Sequence, residues 1–221
     1  MWGLRGFLPP VLIQVLKQGR TFIDPQFEEK RTIRKLKDTT LFSGDDALFK
    51  KLLARCTSYG EIGLGQSTVY ASQQNHLEQI VSIDSSAEWV ELVTPLVSKS
   101  RVTLKHIDFG PVKQWGKPES YARIDEVDRY ALAVLEDGTP ELILIDGRFR
   151  VFVFLSLVKH APVGTQILFD DYSCRPHYLI VEEILRPIES CGKQSLFVID
   201  EEAKTHPNLQ IMIDRFRYVM D

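Results

Sequence analysis

Cysteine is scarce: the three thiols, at 56, 174 and 191, are too few and odd in number to frame the chain with disulfides. They read as reduced packing thiols, which points to a cytoplasmic location. An excess of either charge is also missing. The 27 Lys and Arg stand against 30 Asp and Glu, and no block of like charges makes the basic face that nucleic acid or an anionic membrane would need. Long apolar runs are absent too. Phe7 to Leu16, the longest uncharged stretch near the start, is about half a bilayer span, contains Pro9 and Pro10, and is followed by no A-x-A-like cleavage site. The sequence therefore predicts neither a transmembrane segment nor a secretory signal, and it holds no internal repeat.

What is present is enough for one core: 221 residues, 44% of them hydrophobic. The one compositional seam is the charged stretch from Gln26 to Lys37, so residues 1–40 read as a helical appendage and 41–221 as a single domain. Pro9-Pro10 followed by Val11, Leu12, Val15 and Leu16 predicts a short helix with one apolar face. The domain core, a second subunit in a homodimer, or a membrane interface would have to cover that face.

From Asp45 onward helical patterns alternate with short β-branched runs, the mark of helices packed on a mostly parallel sheet. Predicted strands are Ser58–Ile62, Gln79–Ile83, Val102–Ile107, Glu141–Ile145, Gln166–Phe169, Ser195–Ile199 and Gln210–Tyr218. Predicted helices are Asp45–Ala54, Ser67–Asn75, Ser86–Leu96, Ile124–Glu136, Phe149–His160 and Tyr178–Ser190. Only Asp200–Leu209 separates the last two strands, too short for a crossover helix, so that pair should be antiparallel. The expected fold is α/β: a Rossmann-like, doubly wound sheet of about seven strands, helices on both faces, closed by a reversed C-terminal β-hairpin.

The first strand runs into Glu61-Ile62-Gly63-Leu64-Gly65-Gln66-Ser67-Thr68. The glycines allow positive φ and close approach of a ligand, and Ser67 or Thr68 can cap the helix that follows. A dinucleotide fingerprint would want glycine at 68, and an acidic residue at 61 would repel a pyrophosphate, whereas it suits a cation. Asp84 ends the second strand about 20 residues further on, where a carboxylate accepts hydrogen bonds from ribose hydroxyls. Asp108 follows the third. There is no Tyr-x-x-x-Lys pair for a short-chain reductase, and no N/D-P-P-Y/F turn follows the fourth strand.

The Glu61-x-Gly63-x-Gly65 turn and the sheet order resemble class I S-adenosylmethionine-dependent methyltransferases. The resemblance implies cofactor contacts at Glu61, Gly63 and Gly65, with Ser67 beside them at the helix start, at Asp84 for the ribose and at Asp108 for adenine. Ile145-Asp146-Gly147 together with Gly164 to Tyr172, ending Asp170-Asp171-Tyr172, is similar to the macrocin-type, magnesium-dependent O-methyltransferases acting on sugars. By that resemblance Asp146, Asp170 and Asp171 bind magnesium and Asp146 takes the acceptor's proton. The chain departs from the family's D-G-D/N-H at Arg148, and Thr165 replaces a glycine. Three readings of the aspartates stand: a metal site, a set paired to Arg148 without metal, or helix caps.

Asp146-Gly147-Arg148-Phe149-Arg150 and Arg175-Pro176-His177-Tyr178 also resemble a bacterial group of methyltransferase-like proteins. His177 is either a general base or a satisfied loop residue. Arg148 and Arg175 either bind an anionic acceptor or form surface ion pairs. Trp115 either stacks on a sugar or adenine or anchors its own loop. The reading is an S-adenosylmethionine-dependent O-methyltransferase with a small-molecule acceptor, possible catalytic residues Asp146, His177 and Arg148, and no nucleic-acid partner. The alternative is an inactive methyltransferase-fold scaffold.

Overall fold

The computed structural model describes residues 25–97 and 100–221. The Leu8–Leu16 segment, and with it the expected dimer contact, lies outside the described residues.

Seven strands form one sheet: β1 (Ser58–Ile62), β2 (Gln79–Asp84), β3 (Val102–His106), β4 (Leu142–Ile145), β5 (Gln166–Phe169), β6 (Glu189–Cys191) and β7 (Gln194–Val198). Their order is β3-β2-β1-β4-β5-β7-β6. The first five pair in parallel, β7 runs antiparallel to β5, and β6 runs antiparallel to β7. The chain winds one way from β1 to β2 and β3 and the other way to β4 and β5. The strand order therefore reverses between β1 and β4, and open α/β sheets bind ligands beyond the carboxyl ends of the strands at such a point.

The described helices are α1 (Pro25–Leu36), α2 (Ala47–Leu53), α3 (Gln66–Ser72), α4 (Ala87–Val93), α5 (Val127–Leu132), α6 (Arg150–His160), α7 (Glu201–Lys204) and α8 (Leu209–Phe216), with short 3-10 turns between them. Alternation within β4 shows how both sheet faces are covered. Leu142 and Leu144 pack with Phe49, Leu53 and Tyr59, while Ile143 and Ile145 pack with Phe152, Val153 and Phe169. Helix α6 is buried from Arg150 through Val158 because it lies against the sheet and between α5 and α8. Leu36 of α1 is buried against Leu64, Val69 and Val93.

The reversed hairpin is present, but from other residues than expected. Gln210–Tyr218 is not a strand: Leu209, Met212 and Ile213 repeat at helical spacing and form the buried stripe of α8. The hairpin is β6 and β7 instead, turned at Gly192-Lys193 with Gly192 at φ 56°. The predicted helix Tyr178–Ser190 is a 3-10 helix over Pro176–Glu183, cut off before Pro187, which lacks an N–H and forces its predecessor toward extended backbone. Only Cys56 is a buried thiol; Cys174 and Cys191 are exposed, because they sit on a strand-end loop and on the edge hairpin.

Candidate active site

The glycine turn is built from below by Glu61. This carboxylate is fully buried on β1 and accepts hydrogen bonds from the Tyr59 (2.8 Å), Ser67 (2.6 Å) and Ser82 (2.6 Å) hydroxyls and from Thr68. Burial pushes its pKa up, and the four hydroxyls act against that. Thr68 also accepts from the Gly65 N–H at 2.8 Å, so the turn and the first residues of α3 hang on one buried acid. Glu61 and Ser67 face each other beneath the turn, and Glu61 shapes the loop with its own charge satisfied by protein hydroxyls.

Gly63, at φ 98°, packs directly on the next turn: a Cβ there would lie 2.4 Å from the Gly147 nitrogen. At Gly65 a Cβ would meet nothing within 4 Å, so the turn borders open space. Asp84, at the end of β2, accepts from the Leu64 N–H (3.1 Å) and the Ser86 N–H (2.7 Å). Its remaining acceptor capacity fits a hydroxyl donor such as one of a ribose. Burial raises its pKa to about 7, against the hydrogen bonds from Ser86, Leu64 and Ser85. Asp108 stands apart: it is exposed, caps Gly110 at 2.7 Å and pairs with Arg123, and the Gly110 N–H and Arg123 hold its pKa low.

Asp146, Asp170 and Asp171 come together at the ends of β4 and β5, presenting oxygens within 4.8 Å of one another. The cation among them is Arg150, not the Arg148 read from the sequence. Arg150, 5% exposed, donates to Asp146 Oδ1 (2.8 Å) and to the carbonyls of Asp146 (3.0 Å), Gly147 (3.0 Å) and Asp170 (2.7 Å), with Asp171 Oδ2 at 3.5 Å. Asp171, itself at φ 57°, also pairs with Arg175 (2.7 Å) and Lys193 (3.5 Å). Asp146 and Asp171 are thus paired to three cations, while the Asp170 carboxylate accepts from Gln194 at 2.9 Å. The residues present make a self-neutralised cluster, and a resident magnesium ion does not fit it without displacing Arg150. Burial lifts the pKa of Asp146 to about 7 against Arg150, and burial likewise raises Asp170.

Arg148 points elsewhere because Phe149 takes left-handed backbone, φ 55°, and turns residues 148 and 150 apart. Its Nε donates to the Trp115 carbonyl (2.7 Å) and its Nη1 to the Asp221 backbone oxygen (2.8 Å). The loop carrying Trp115 lies over Asp84: Ser85 Oγ donates to the Gly116 carbonyl at 2.7 Å, and a Cβ on Gly116 would stand 3.4 Å from Asp84 Oδ1. Trp115 is 63% exposed, so it is not a buried loop anchor; its backbone carbonyl makes the contact. His177 is at the surface with its ring edge-on to Tyr178, 4.4 Å between centroids, and no hydrogen bond joins it to the aspartates. Arg150 was legible in principle, as one charge opening an otherwise apolar helix, Arg150-Val151-Phe152-Val153-Phe154-Leu155. Nothing in the sequence marked Asp221.

Among the described residues, no helix is long and apolar enough to cross a membrane. No family model and no curated protein matches the chain. Among solved structures, a methyltransferase-like protein from Silicibacter pomeroyi is similar over 82% of this chain and 97% of that one, at 26% identity and a TM-score of 0.71. The MycE methyltransferase of the mycinamycin biosynthetic pathway, solved with Mg, SAH and mycinamycin VI, aligns over 76% of this chain and 49% of its own, at 17% identity and a TM-score of 0.42. The chain has the Rossmann-like fold of a methyltransferase-like protein.

Proposed function

We propose that the protein is an S-adenosylmethionine-dependent methyltransferase that methylates a hydroxyl of a sugar or another small molecule, without a resident metal. The observation that carries this reading is the bond from the Leu64 N–H to Asp84 Oδ2 at 3.1 Å, which joins the glycine turn to the acid at the neighbouring strand end. Those two groups are the parts a nucleoside site needs together, and the strand order reverses beside them.

In this reading Asp84 accepts from a ribose hydroxyl, and Gly65 leaves room for the nucleoside. The bound sulfonium supplies an electrophilic methyl group, so that the new O–C bond forms as the C–S bond breaks. Asp146 receives the acceptor hydroxyl's proton; a carboxyl with a pKa of about 7 is matched to that task near neutral pH. Arg150 keeps Asp146 in place and balances its charge.

A second reading, a methyltransferase-fold scaffold without catalysis, is favoured by one observation: Gly116 and Ser85 close over Asp84. Calorimetric titration of the full chain with S-adenosylhomocysteine, with NAD as control, decides between the two. Saturable one-to-one binding of S-adenosylhomocysteine alone supports the enzyme and opens an acceptor screen. No binding by the folded protein leaves the scaffold.

A further inference from the structure

Arg148 is the one cation of the candidate site that pairs with none of the three aspartates at the strand ends. Arg150 pairs with Asp146 and Asp171, and Arg175 and Lys193 share Asp171, whereas the carboxylate that acts on Arg148 is that of Asp221. Its backbone is fixed, since its N–H donates to the buried Tyr130 hydroxyl at 3.1 Å, and its guanidinium donates to the backbone oxygens of Trp115 and Asp221. Burial and the neighbouring Arg150 act against its charge, while Tyr130, Asp221 and Tyr178 act for it. A guanidinium does not shed its proton at neutral pH, so this charge calls for an anion.

A carboxylate already stands next to it. Asp221 Oδ1 accepts the Arg150 backbone N–H at 2.9 Å, at the N-terminus of the eleven-residue helix α6. Asp221 Oδ2 is buried with no hydrogen-bond partner, so the group fills the place imperfectly. The place also adjoins the candidate cofactor turn, because Gly147, the residue before Arg148, packs on Gly63.

We propose that Arg148 and the Arg150 N–H form a binding site for the carboxylate or phosphate of a ligand in the active site, and that Asp221 holds that place in the chain itself. Binding transfers Arg148 from the backbone oxygens of Trp115 and Asp221 to the ligand. The assignment to an active site rests on the methyltransferase reading. The anion is either part of the acceptor, such as a phosphorylated or carboxylated sugar, or the carboxylate of the cofactor's amino-acid portion.

Calorimetry on the full chain separates these sources, with inorganic phosphate, S-adenosylhomocysteine and 5′-methylthioadenosine, which lacks the amino-acid portion, as probes. In the acceptor case phosphate binds the wild type, Arg148→Ala weakens it by about tenfold or more, and S-adenosylhomocysteine is unaffected. In the cofactor case Arg148→Ala weakens S-adenosylhomocysteine by about tenfold and leaves 5′-methylthioadenosine unchanged. Asp221→Ala removes the internal competitor and tightens whichever probe uses the site, a gain that an unfolded Arg148 variant cannot obscure. If Arg148→Ala folds and alters neither probe, or Asp221→Ala tightens neither, the site is refuted. If phosphate binds through Arg148 while the wild type ignores S-adenosylhomocysteine, the anion site stands and the methyltransferase reading falls.

Discussion

Gly63 and Gly147 meet backbone to backbone: a Cβ on Gly63 would lie 2.4 Å from the Gly147 nitrogen, and one on Gly147 would lie 3.0 Å from the Gly63 nitrogen. The turns after β1 and β4 are pressed together because those strands are neighbours at the reversal of the sheet. Gly63→Ala adds left-handed strain at φ 98° to this clash and is expected to cost about 3 kcal/mol. Chemical unfolding measures the loss. Gly65→Ala, whose Cβ meets nothing within 4 Å, should leave stability nearly unchanged while weakening S-adenosylhomocysteine binding.

Removing the acid under the turn should act on fold and ligand together. Glu61→Ala strands the hydroxyls of Tyr59, Ser67, Thr68 and Ser82 in a dry interior, for an expected loss of about 3 kcal/mol or more. Ser82→Ala removes one donor and should cost about 1.5 kcal/mol. Urea titration of both variants checks the ratio.

Asp84 has a folded pKa raised to about 7 from 3.8, so between these values the folded state holds the proton more tightly than the unfolded chain. Its contribution to stability is full below the unfolded value and is lost as pH rises toward 7, by up to about 1.4 kcal/mol per pH unit. Asp84→Asn should flatten this decline, read from unfolding midpoints between pH 4 and 8. If ribose hydroxyls donate to the ionised form, wild-type affinity for S-adenosylhomocysteine rises over the same range and that of Asp84→Asn does not.

The self-neutralised aspartate cluster makes two opposite expectations for magnesium. Wild-type thermal stability and S-adenosylhomocysteine affinity should be indifferent to chelator and to added magnesium. Arg150→Met leaves buried carboxylates uncompensated, at an expected cost of about 3–5 kcal/mol, and magnesium should then restore part of the stability. A wild type that loses affinity in chelator would refute the metal-free assignment.

The apolar runs ending in Asp84, Asp146 and Asp170 were legible because parallel strands buried on both faces are written as apolar segments ending in polar turns, and Glu61 was legible from the glycine turn that follows it. The last two strands were not. Gln210–Tyr218 has residues that suit either period, and the burial of Leu209, Met212 and Ile213 against the rest of the core settles it as a helix. The three-residue strand β6 is shorter than any pattern in sequence that could announce it, and its partner β7 defines it.

The sequence by itself determined the α/β class, the parallel winding, the glycine turn and the acids at the strand ends, because these follow from local periodicity and from what glycine permits. Tertiary structure alone decided which charges meet. Arg148 and Arg150 are two residues apart, and the left-handed Phe149 between them sends one to Trp115 and Asp221 and the other into the aspartates. Arg150 reaches Asp146 four residues away but also the Asp170 carbonyl 20 residues away, and Arg148 reaches Asp221 73 residues away, distances that no local pattern carries.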